Sequence, residues 1–175
     1  MTLRWLRLPA VVMAAVLVQL AVLSELTVAG VHADLLMLMG IAAGLVSGPE
    51  RGAVVGFVCG LVADLFLQTP AGLSALAFCL VGFAVGSFQA GLLRAAWWIP
   101  PLTALVASAA GVVLFVALGA VVGQAHLIDG RLPLVIGVVA ALNAVLALPV
   151  VALVAGSGRG GAMGAGARRA RGIRV

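Results

Sequence analysis

Lysine and tyrosine are absent from this 175-residue chain, and only 9% of its residues are charged. A soluble domain carries about a quarter charged residues. The shortage excludes an ordinary water-soluble fold, because a chain that is 65% hydrophobic cannot cover its surface with polar atoms. Lipid is the solvent that fits. Acidic residues are few: Glu25, Asp34, Glu50, Asp64 and Asp129. With only His32 and His126 beside them, no Ser/His/Asp set, phosphate loop or metal-ligand cluster can be drawn. Catalysis, a cofactor and a metal are therefore not expected. The two cysteines, Cys59 and Cys79, lie inside apolar runs without His or Cys neighbours. They read as small, reduced core residues.

What is present is a series of apolar runs. A membrane-crossing helix needs about 20 mostly apolar residues. Six candidates occur, at about 8–28, 33–47, 53–67, 73–92, 97–122 and 132–154. The chain reads as an all-α integral membrane protein, a bundle of six transmembrane helices at 1–155 with a short tail at 156–175. The first run begins like a signal peptide, with Arg4 and Arg7 ahead of it and Val31-His32-Ala33 resembling a cleavage site. Its uncharged stretch is longer than a typical signal core, which favours a retained span.

All ten basic residues are arginine. With both termini in the cytoplasm and six spans, Arg4, Arg7, Arg51, Arg94, Arg159, Arg168, Arg169, Arg171 and Arg174 fall inside. Only Arg131 falls outside. That is a strong positive-inside bias, and it supports the span count independently of hydropathy. Charges at the ends of apolar runs also argue against nucleic acid as the partner. The tail is rich in Gly, Ala and Arg and has no apolar periodicity, so disorder is expected. Its arginines suit anionic lipid, at about 1 kcal/mol each near the surface.

Glycine spacing is the most informative local feature. Gly40, Gly44 and Gly48 fall four apart in the second span, and Gly52, Gly56 and Gly60 in the third; Gly82 and Gly86 add a pair in the fourth. Residues four apart share one helix stripe, and small residues there let backbones approach in lipid. Gly48-Pro49-Glu50-Arg51-Gly52 reads as a tight turn, with Gly48 ending one helix and Gly52 opening the next. Glu50 and Arg51 on that turn suit either a weak exposed pair or a docking contact. Asp64 is an acid inside an apolar stretch, about 20 Å along its helix from Arg51. Three roles fit it: a hydrogen bond to a polar group such as Ser74 or Gln68, contact with a partner's helix, or proton coupling. Asn143, near the middle of the last span, is expected to bond to another helix, and Pro149 to bend its own.

The order Ala33-Asp34-Leu35-Leu36, Gly48-Pro49-Glu50-Arg51-Gly52, Gly56, Gly60, Asp64, Gly72-Leu73-Ser74-Ala75 and Gly82 resembles the MreD family of rod shape-determining membrane proteins. The resemblance covers about residues 31–87; Ala33 departs from it, since the family often has proline there. It implies a bacterial inner-membrane, multi-pass protein of the cell-wall elongation machinery. It also implies a non-catalytic scaffold that binds an MreC-like bitopic protein and works with MreB, a RodA-type glycosyltransferase and a class B penicillin-binding protein. The implied fold is similar to that of the substrate-binding membrane subunits of energy-coupling-factor transporters. On this resemblance Asp34 caps the second span, Glu50-Arg51 forms the cytoplasmic turn and Asp64 faces the bundle. A transporter subunit is the alternative function. It would need polar or aromatic groups converging on an outer pocket; the outer ends supply only Glu25, His32, Asp34, Gln68, Gln124, His126 and Asp129, with no aromatic cluster, so no small-molecule substrate is expected.

Overall fold

The computed structural model describes residues 33–66, 72–92, 98–124 and 130–171, with side chains up to position 88 in the second segment and 156 in the last. The expected first span at 8–28, together with His32, Gln68 and His126, lies outside the described residues. Among the described residues the fold is all helical. Five helices follow in order: α1 Leu35–Ser47, α2 Pro49–Phe66, α3 Leu73–Leu92, α4 Ile99–Val121 and α5 Leu132–Arg171. They correspond to the second to sixth runs of the sequence. Two stretches, Ile99–Val121 and Leu132–Gly156, are long and apolar enough to cross a membrane; α1 and Leu73–Phe88 are apolar but shorter.

Helix α1 is the centre of the bundle. Every residue from Leu35 to Leu45 is buried, as expected for a helix that is apolar on all sides. The other four helices all pack against it. Asp34 starts it as N-cap, its carboxylate accepting from the Met37 N–H. Gly48 ends it at φ 91°, ψ 179°, and the Gly48 N–H donates to the Gly44 carbonyl at 3.0 Å. A side chain at that φ would be strained. Pro49 then opens α2 directly. Proline suits a first helical position, where its φ is preset and its missing N–H is not needed. The start of this helix is therefore corrected from 53 to 49, and Gly52 lies within its first turn rather than opening it.

Helices α2 and α3 form the most extensively packed pair, and α4 and α5 form a second pair. Pro100 lies in the first turn of α4. Beyond its C-terminus, the Gly123 N–H donates to the Ala120 carbonyl and the Gln124 N–H to the Gly119 carbonyl. With Gly123 at φ 86°, this is a Schellman ending that satisfies two otherwise orphaned carbonyls. Helix α5 contains Pro149. It continues to Arg171, where composition led to an expectation of disorder from position 156. Ala and Arg between 162 and 171 favour the helix locally, because its hydrogen bonds need no partner element.

Candidate functional site

The α1–α2–α3 unit inverts the pattern of a soluble helix bundle. The buried face of α2 carries Gly52, Val55, Gly56, Cys59, Gly60, Ala63 and Asp64. Its exposed face carries Val54, Phe57, Val58, Leu61 and Leu65. Small residues point inward and large apolar ones outward, as suits a lipid-bathed bundle held by close backbone approach.

The glycines mark where that approach occurs. A Cβ built at Gly40 would lie 2.9 Å from Gly56 Cα, and one at Gly52 would lie 2.7 Å from Gly44 Cα. Both Gly44 and Gly52 face the Gly82 carbonyl on α3, and Gly82 in turn faces the Gly52 carbonyl. Gly56 faces the Phe78 carbonyl. A Cβ at Gly60 would lie 2.5 Å from Ala75 Cα, and one at Gly86 2.5 Å from Pro49 Cα. These glycines meet backbone, not the flexible ends of side chains, so nothing nearby can move aside cheaply.

Asp64 is buried, and its carboxylate reaches across to the start of α3. Oδ2 accepts from Gly72 N at 2.7 Å and Ala75 N at 3.3 Å, and Oδ1 accepts from Ser74 N at 3.0 Å. A helix N-terminus presents N–H groups without intrahelical partners and a partial positive charge. Asp64 thus serves α3 as a cap supplied by the preceding helix. The bond to Ser74 named as one option in the sequence is made to the Ser74 backbone; its hydroxyl is not involved.

A second polar cluster ties three helices. Asp34 N donates to Asn143 Oδ1 at 3.1 Å, and Asn143 Nδ2 donates to Ser108 Oγ at 2.9 Å. Asn143 and Ser108 are both fully buried. One amide on α5 therefore joins the start of α1 to the middle of α4. Ser108 was not singled out in the sequence. The available signal was a hydroxyl midway along an apolar span, opposite a second span with one buried amide. Glu50 and Arg51 are exposed, and no ion pair forms among the described residues.

Beside this cluster is a cavity of about 200 Å³, at the end of the bundle where α1, α3 and α5 begin. Asp34, Met37, Ser74, Phe78, Phe115 and Val135 help to line it.

Comparison with protein families matches residues 1–155 to the family of rod shape-determining protein MreD. No curated protein and no solved structure gives a match. The match extends well beyond the stretch that carries the resemblance in the sequence, and it fits the all-helical, apolar build. The chain belongs to the MreD family and is a membrane protein with a role in rod-shape determination.

Proposed function

We propose that this chain is a non-catalytic scaffold of the cell-wall elongation complex, which receives the single span of an MreC-like bitopic partner by lateral helix packing. The observation that carries the reading is the membership of residues 1–155 in the MreD family. The exposed stripe Val54, Phe57, Val58, Leu61 and Leu65 on α2 adds a candidate face. Its spacing follows one side of a helix, and the glycine contacts behind it hold that side in place. In lipid such an interface gains from dispersion and a few hydrogen bonds, with little from water exclusion.

In the same reading the protein crosses the inner membrane six times with both termini in the cytoplasm. The distribution of arginine supports this. Glu50 and Arg51, exposed in the first turn of α2, then face the cytoplasm and are available to MreB or another complex member. The RodA-type glycosyltransferase and the class B penicillin-binding protein belong to the wider assembly. The C-terminal arginines lie against anionic lipid.

The test is affinity co-purification of the full chain from native membranes in mild detergent, followed by mass spectrometry. An MreC-like bitopic protein at near-equal amount is the expected result. Recovery of an ATPase pair with a coupling subunit in its place would overturn the reading.

A further inference from the structure

Helix lengths give the described bundle a short side and a tall side. Helices α2 and α3 run antiparallel in a fixed register, with Gly86 against Pro49 at one end and the Asp64 carboxylate on Gly72 N at the other. Pro49 to Asp64 spans about 22 Å along α2, and Gly72 to Gly86 about 21 Å along α3. The apolar run of α2 lies between Arg51 and Gln68, about 24 Å. Helix α3 is apolar over Leu73–Phe88, again about 24 Å. Large apolar side chains on this side are exposed from Val54 to Phe66 and from Leu76 to Phe88. The apolar stretches of α4 and α5, Ile99–Val121 and Leu132–Gly156, reach about 34 Å and about 38 Å.

A hydrocarbon core is about 30 Å thick. Helices α4 and α5 cross it with length to spare. The apolar parts of α2 and α3 fall short even when upright, and tilt lowers them further. Helix α1 does not offset the difference, because it is shorter still and buried. At the end of the short side Glu50 and Arg51 are exposed next to each other. The guanidinium complements a lipid phosphate and the carboxylate a lipid ammonium, so the pair matches a zwitterionic headgroup and fixes that end at headgroup level. The mismatch then falls on the opposite leaflet, and a bilayer meets a short apolar span by thinning. We propose that the α2–α3 side is a lipid-binding surface that selects zwitterionic phospholipids with short acyl chains and thins the bilayer beside it, while the α4–α5 side keeps a layer of full thickness. The surface belongs to the chain alone, so it stands independently of the partner-binding reading. Its consequence is sorting, since thickness mismatch draws a protein toward thinner membrane.

The test uses the full chain with Trp5→Phe, Trp97→Phe and Trp98→Phe, reconstituted in phosphatidylcholine bilayers. One tryptophan is then placed at an exposed position on each helix: Phe57→Trp on α2, Leu80→Trp on α3, Val113→Trp on α4 or Val145→Trp on α5. Quenching by brominated phosphatidylcholine, in competition with phosphatidylcholines of about 14 to about 22 acyl carbons, gives the relative affinity for each chain length at each probe. At positions 57 and 80 affinity should peak at about 14–16 carbons and fall about threefold by the longest chain. At positions 113 and 145 the order should reverse. Each side carries two probes, so a variant that fails to fold leaves its neighbour to decide. The same optimum at all four positions would overturn the proposal, as would a preference for long chains on the α2–α3 side.

Discussion

Asp64 and Asn143 are polar residues in an apolar chain, and each joins helices. Three backbone N–H groups converge on the Asp64 carboxylate at the start of α3. Removing it leaves those donors without partners at a buried helix end. We expect Asp64→Ala to lower stability by about 2–4 kcal/mol, from one lost cap and its charge-assisted bonds. Asp64→Asn should recover about half of that loss, since an amide oxygen still accepts. Unfolding by denaturing detergent, followed by circular dichroism, reads both. Equal losses for Ala and Asn would show that capping is not what Asp64 contributes. Asn143→Ala should cost about 1–2 kcal/mol in the same assay, the usual range for an interhelical bond in lipid. Ser108→Ala should cost less, because it leaves only one amide hydrogen of Asn143 unpaired. The polar character of Asp64 and Asn143 stands out in sequence. Their partners do not, because backbone N–H groups have no letter of their own and Ser108 is 35 positions from Asn143.

At the scale of the element, the glycine stripes set the distance between helices. An exposed helical glycine changed to alanine normally gains up to about 1 kcal/mol in helix propensity. At Gly52 that gain must be outweighed, because the new Cβ would meet the Gly82 carbonyl and Gly44 Cα. We expect Gly52→Ala and Gly56→Ala to destabilise by about 1–3 kcal/mol, the cost of overpacking a close contact. Gly137, on α5, has open space where a Cβ would go. Gly137→Ala should therefore be neutral or stabilising. Equal effects at Gly137 and Gly52 would remove the close-packing account. The larger Gly56→Leu and Gly60→Leu changes should lower yield and abolish recovery of the partner. The four-residue spacing is visible in sequence. Which backbone each glycine meets depends on helix crossings that spacing alone does not define.

At the scale of the whole molecule, burial and exposure separate two functions of the surface. Among the described residues, the face of α2 turned inward packs in the bundle and the face turned outward is exposed. Phe57→Ala with Leu61→Ala should reduce partner recovery at least tenfold while leaving detergent stability nearly unchanged, because both side chains are exposed and the replacement stays apolar on the lipid-facing side. Full recovery in this variant would move the interface to another face. Reporter fusions at the Glu50-Arg51 turn and at the C-terminus should both report the cytoplasm if the arginine asymmetry sets the orientation. A turn inaccessible from the cytoplasm would mean that α1 and α2 form a re-entrant hairpin. Helix α1, at about 20 Å for its 13 residues, is shorter than the roughly 30 Å hydrocarbon core.

Composition by itself determined the solvent. With so few charges, the chain has no means of facing water, and its runs of apolar residues follow helical lengths. The order of residues around Asp34, Gly48-Pro49 and Asp64 also carried the family resemblance. Tertiary structure alone decided that α1 lies at the centre, that Asp64 caps the next helix, and that one amide joins α1, α4 and α5. It also decided that Asp34 and Ser74 line one cavity, although 40 positions separate them. The reason is physical. Hydropathy and local spacing act along one helix, whereas a cavity or a cross-helix cap exists only once several helices have fixed their crossings.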